Sequence, residues 1–251
     1  MKVFAAGGAG VIGRRLVPQL VARGHDVTAT TTNANKLGGL ERLGAHAVVM
    51  DGLDAVSVGE AVATAEPDVI VHQMTAIPEK LNTRHPERSF ATTNRLRTEG
   101  IDHLVAAAQA ADVKHFVAQS YASWNGIREG GWVKTEDDPL DPDHLATPSL
   151  RHIDDMVSAT VLAVEQQAKG VFNTVDDEPA PVSEWQPYLA ECVDAKPPMH
   201  LPAWLIRPLA AEFVVWMMTQ GRAFSNNKAK RELNWQLHFP SWRQGFAEGL
   251  R

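Results

Sequence analysis

Short apolar runs alternate with amphipathic stretches along the first 120 residues. VFAAG (3–7), DVTATT (26–31), AHAVVMD (45–51), DVIVHQM (68–74) and HFVAQS (115–120) read as strands. Between them, VIGRRLVPQLVARG (11–24), NKLGGLERLG (35–44), a stretch near 54–65 and a long stretch near 88–111 read as helices. Val-rich strands alternating with helices predict a parallel sheet covered on both faces, with right-handed crossovers. The pattern breaks at 121–149, where Gly, Pro and acidic residues predict an irregular loop or linker. IDDMVSATVLAVEQQA (153–168) then reads as a helix, GVFNTVDD (170–177) as a further strand, and 178–251 as a mostly helical tail. The tail contains a broad apolar stripe over 203–219, through Trp204, Leu205, Leu209, Phe213, Trp216 and Met217. Core packing or a lid over an apolar pocket explains that stripe better than a membrane surface does.

Composition limits the class. The chain has 251 residues, 44% hydrophobic and 22% charged, enough for one large domain and a smaller appendage. A net charge of -6 gives no general attraction to nucleic acid or to an anionic membrane. The single cysteine, Cys192, forms no internal disulfide and offers no Cys pair for zinc, so a reducing cytoplasm is expected. The start, MKVFAAGGAGVIGRR, has the Lys and small residues of a signal peptide. Four glycines by position 13 and Arg14-Arg15 in place of a cleavage region argue against one. The apolar run FVVWMM (213–218) is too short to span a bilayer.

The strongest chemical signal is GGAGVIG. Gly7, Gly10 and Gly13 stand at G-x-x-G-x-x-G spacing, after a strand and at the opening of a helix, with Val11 and Ile12 between the last two. Glycines there let the backbone turn tightly and approach a pyrophosphate, and the helix start offers its N–H groups to the phosphates. The expected fold is therefore α/β. It is a Rossmann-type doubly wound parallel sheet over 1–175, irregular or truncated at 121–152, with a small, mostly helical C-terminal substrate region over 176–251. An acidic residue that would hold the ribose of NAD is expected about 20 positions on. This chain has Thr30-Thr31-Thr32-Asn33 there, with Lys36 beyond. Without a carboxylate to repel a 2′-phosphate, the site tilts to NADP over NAD. Thr32, Asn33, Lys36 and Arg14 are the candidate contacts.

These residues resemble the extended short-chain dehydrogenases/reductases, the NAD-dependent epimerase/dehydratase family, over nearly the whole chain. The glycine motif matches. Asp51-Gly52 resembles the family's adenine-contacting Asp segment, and Gln73-Met74-Thr75-Ala76 its "H-x-A-A"-like segment beside the nicotinamide ribose. Asn94 with Thr98 resembles "N-x-x-G-T", with Arg97 in place of Gly. Ser120 resembles the substrate-orienting Ser/Thr after the fifth strand. GVFNTVDDEPAPVSEW and SNNKAKRELNW resemble the C-terminal strand and late helix. The resemblance implies hydride transfer between nicotinamide and a hydroxyl or carbonyl substrate, with nucleotide sugars in that class. It also implies a homodimer paired through two long helices, one near 88–111.

One part of the family pattern is missing. Family enzymes use a Tyr whose pKa is lowered by a Lys four residues later. Here Asn125 follows Tyr121 at that spacing and Cys192 follows Tyr188, so the pair is absent. LRHIDD (150–155) follows the irregular loop almost directly. It aligns either with a later "H-x-D-D" helix or with the end of the active-site helix, the latter placing Ala146 or Thr147 where Tyr belongs. Either alignment implies a block missing near the middle, at the junction Asp143 to Arg151. A catalytically inactive cofactor-binding sensor is the competing function.

Other constellations read as structural. His152, Asp154 and Asp155 could ligate a metal, but carboxylates in a helix's first turn with a packed His is the simpler reading. The acids of 136–143 lack the order of a calcium loop. No metal site is expected. Ser120 lies outside any G-x-S-x-G, so a hydrolase nucleophile is disfavoured.

Overall fold

β1 (Lys2–Ala6), β2 (Asp26–Thr31), β3 (His46–Val49), β4 (Val69–His72) and β5 (His115–Ala118) form one sheet. All neighbours are parallel, in the order β3-β2-β1-β4-β5. Val3 pairs with Val27 on one side and Val69 on the other. The two central strands bury consecutive residues, Val3 to Ala6 and Val69 to His72, because helices cover both faces of the sheet. The computed structural model describes residues 1–78, 80, 86–120, 130–139, 152–199, 202, 215, 219 and 221–249. They fall into two units: 1–82 with 86–119 and 160–168, and 83–85 with 120–159 and 169–251.

In the first unit the crossovers are α1 (Gly13–Ala22), α2 (Leu37–Arg42), α3 (Ala55–Ala65), α4 (Pro86–Arg97) and α5 (Glu99–Ala110). Phe4, Ile70 and Met74 pack with Val58, Val62 and Leu104 to make the core on one face. From β1 the chain builds outward to β2 and β3, then returns to β4 on the other side of β1. That reversal opens a crevice at the carboxyl ends of β1 and β4, the place where open α/β sheets take ligands.

The stretch near 88–111 is two helices. Thr98 leaves helical geometry at φ -105 and ψ -82, and its hydroxyl donates back to Asn94 O at 3.1 Å. His72 Nε2, 3.2 Å from Leu96 O, engages a carbonyl just before the break. Arg95 and Glu99 bridge the break with a two-point ion pair of 2.8 and 2.7 Å.

The second unit holds a parallel pair of two-residue strands, β6 (Val133–Lys134) and β7 (Ala223–Phe224), which the residue pattern did not reveal. Its helices include α7 (Val182–Cys192), α8 (Asn227–Leu233) and α9 (Trp242–Gly249). α6 (Ile153–Glu165) starts in this unit and ends in the first. The strand expected at 170–177 does not form: 171–176 is irregular. Side chains take its backbone groups in place of a ladder. Asn173 N–H donates to Glu136 Oε1 at 2.6 Å, and Asn226 Nδ2 donates to Val175 O at 2.8 Å. Tyr121, the junction Asp143 to Arg151 and, apart from Val215 and Thr219, the stripe at 203–219 lie outside the described residues.

Candidate cofactor site

The turn between β1 and α1 is shaped by what its glycines lack. Gly7 has φ +91, and a Cβ there would lie 2.8 Å from Gln73 O, so only glycine lets β1 and β4 approach this closely. A Cβ on Gly13 would lie 2.6 Å from Gly7 O and closer still to Gly8 O. At Gly8 it would lie 2.7 Å from the Ala29 Cβ. Gly10 N–H donates to Gly7 O at 3.0 Å and closes the turn. The buried Thr30 hydroxyl accepts from Gly7 N–H at 3.0 Å and ties the turn to β2. Helical bonding begins with Arg14 N–H to Gly10 O. The N–H groups of Val11, Ile12 and Gly13 therefore precede the first main-chain bonds of the helix, which is the arrangement a pyrophosphate requires.

The other expected residues sit at the carboxyl ends of their strands. Thr31 Oγ1 accepts from Asn33 N–H at 3.2 Å, and Asn33 Oδ1 accepts from Asn35 N–H at 2.9 Å. Thr32, Asn33, Lys36 and Arg14 are exposed, whereas Thr30 and Thr31 are buried against the backbone. After β3, Asp51 Oδ1 accepts from Leu53 N–H at 2.9 Å and shapes the loop. Gly52 is buried beneath Met74, whose sulfur would be 2.5 Å from a Cβ there. His103 Nδ1, 3.2 Å from Gly52 O, holds the same loop from α5. After β4, Gln73 is buried with neither side-chain amide atom partnered, and Thr75 is exposed. Beside them, burial lowers the His72 pKa and favours the neutral ring. Ser120 is exposed, two residues past β5.

His103 was not among the expected site residues, and Thr30, Gly8 and Met74 stood inside the expected motifs without a role of their own. Each acts on the loops through backbone or packing, which leaves no chemical signature in the sequence.

In the second unit, HIDD is a helix start. Asp154 and Asp155 occupy the first turn of α6. Asp155, 2% exposed, accepts the N–H groups of His238 and Phe239 at 2.5 and 3.0 Å. Its carbonyl accepts from Trp235 Nε1 at 3.1 Å. The His152 ring packs on Phe239 with centroids 4.0 Å apart, and its edge fills the space beside Gly249. Among the described residues no three His, Cys, Asp or Glu side chains are grouped to hold a metal. No helix among them is long and apolar enough to cross a membrane.

Residues 7–142 match a family model described as NAD(P)H-binding. A 3-diazoavenalumate denitrifying reductase from a Streptomyces species is 36% identical, covering 98% of this chain and 99% of its own. That alignment is 307 positions long while 98% of a 251-residue chain takes part, so about 60 positions carry residues of the reductase alone. A human epimerase family protein solved with NADPH superimposes with a TM-score of 0.70 at 17% identity, covering 99% of this chain and 98% of that one. UDP-glucose 4-epimerase from Bifidobacterium longum, solved with NAD+ and UDP, gives 0.72 at 14% identity, with 100% and 97% covered. These two likenesses show the fold.

Proposed function

The chain belongs to the NAD(P)H-binding family, and from that premise we propose that it is a reductase that draws hydride from NADPH for a small organic acceptor. The observation that carries this reading is the glycine cradle with its free helix-start N–H groups, in a chain 36% identical to a reductase over nearly its full length. When bound, the nicotinamide would supply hydride at C4. The chain's residues would hold it. The N–H groups of Val11, Ile12 and Gly13 would take the pyrophosphate, and Asp51 and Gly52 would border the adenine. Gln73 and Thr75 would line the nicotinamide side, and Ser120 would orient the substrate. Thr32 and Asn33, with the exposed Lys36 and Arg14, leave room and charge for a 2′-phosphate, which favours NADPH over NADH.

The acceptor class follows from the missing Tyr-x-x-x-Lys pair. Reduction of a ketone makes an alkoxide that needs a proton, and the family's usual donor is absent from this sequence. The Streptomyces relative is named for denitrifying reduction of a diazo compound. Such an acceptor carries its own leaving group and makes no alkoxide. An electron-poor diazo or related acceptor therefore fits this chain better than a nucleotide sugar. The second reading, a cofactor-binding sensor without turnover, is favoured by the same missing pair and by the positions absent relative to the reductase.

Calorimetry with NADPH and NADH, followed by NADPH oxidation against arenediazonium salts, aldehydes, ketones and a UDP-sugar, separates these readings. Tighter NADPH binding with turnover of the diazonium is expected. Binding with no turnover across the panel favours the sensor, and turnover of the UDP-sugar alone overturns the acceptor class. Binding of neither nucleotide overturns both functions.

A further inference from the structure

Three carboxylates lie close together in the second unit, and only two have donors. Asp155 of α6 spends both oxygens on the N–H groups of His238 and Phe239. Asp177 Oδ1 takes Lys230 Nζ from α8 at 2.5 Å and Asn226 Nδ2 at 2.7 Å. Asp176 is 7% exposed, and its Oδ2 is buried without a hydrogen-bond partner. The charged groups that touch this segment are engaged elsewhere: Lys230 pairs with Asp177, Lys228 Nζ lies over the Phe172 ring, Arg243 pairs with Glu178, and Glu136 from the segment after β6 accepts the Asn173 N–H. An ionised Asp176 would be a buried charge facing two other carboxylates with no cation of its own.

We propose that Asp176 is carried as a neutral carboxylic acid in the folded protein, and that its ionisation loosens segment 171–177 from Asn226 and Pro240, which hold its backbone. Burial first, then the charges of Asp177 and Asp155, push its pKa up to about 7. The folded pKa lies above the unfolded value near 3.8, so the folded state binds the extra proton between about pH 4 and pH 7. The stabilisation is full below that window and is lost as pH rises through it. The device is independent of the proposed reductase function, because it concerns the second unit's own packing.

The test uses the full chain. Urea unfolding at pH 5 and pH 7.5 is compared for wild type and Asp176→Asn, which keeps the shape and cannot ionise. Wild type should show an unfolding constant that rises at least about tenfold more than the variant's across this interval. At pH 7.5 the variant should be the more stable protein. Equal pH slopes in the two proteins would overturn the proposal. A carboxyl-carbon NMR titration of wild type gives a second readout that needs no variant. A midpoint near 7 for Asp176 supports the proposal, and a midpoint near 4 overturns it.

Discussion

The β1–α1 turn and the start of α6 use their residues in opposite ways. GGAGVIG is almost without side chains, and its chemistry is the backbone that glycines expose. HIDD is rich in side chains that look reactive, and the structure consumes His152 and Asp155. Asp155 caps two backbone N–H groups, and His152 is packed on Phe239 and against Gly249. The difference teaches that buried Asp155 is spent on holding a loop, while the rim at the carboxyl ends of β1 and β2 is made of small residues and hydroxyls. A ligand needs unoccupied donors, and a packed unit leaves few of them.

The comparison breaks most visibly at Gly7. Gly7→Ala adds a Cβ into the Gln73 carbonyl at a positive φ. NADPH affinity measured by calorimetry should fall by about 100-fold or more, roughly 3 kcal/mol. Near-normal binding would show that the cradle is not the cofactor site. Asp155→Ala tests the other side. Leaving two N–H groups unpaired, that of Phe239 buried, should lower stability in urea by about 2 kcal/mol. Its NADPH affinity should stay within about twofold; a larger loss there would mean that HIDD serves the cofactor after all. Lys36→Ala should weaken NADPH by about fivefold, about 1 kcal/mol, and leave NADH unchanged. Equal effects on both nucleotides would remove Lys36 from 2′-phosphate recognition. An effect of the same size, about 1 kcal/mol of stability in urea, is expected for Trp235→Phe, which loses the indole hydrogen bonds to Asp155 O and Ser158.

Much of the first unit was legible because parallel strands buried on both faces leave unbroken apolar runs, and VFAAG and DVIVHQM are such runs. All five expected strands form: β2 has the expected bounds, and every other strand end lies within two residues of the expected one. The glycine turn was legible too, since its spacing is itself the geometric requirement. Residues 170–177 misled because VFNTV is rich in β-branched and aromatic residues, yet Glu136 and Asn226, remote in sequence, take its backbone groups. The long helix near 88–111 misled for a similar reason. Its break at Thr98 accompanies a contact to His72 on another element.

Local pattern alone therefore determined the sheet, the glycine turn and the missing Tyr-Lys pair, because periodicity, glycine spacing and a motif's absence are properties of neighbouring positions. Tertiary structure decided the strand order with its crevice between β1 and β4, the role of Thr30 beneath Gly7, and the commitment of Asp155 to residues 238 and 239. It also decided that, among the described residues, Asp176 is the carboxyl with a buried oxygen left without a donor. Each of these depends on which distant groups burial brings together, and burial sets the cost of leaving a polar atom unpaired.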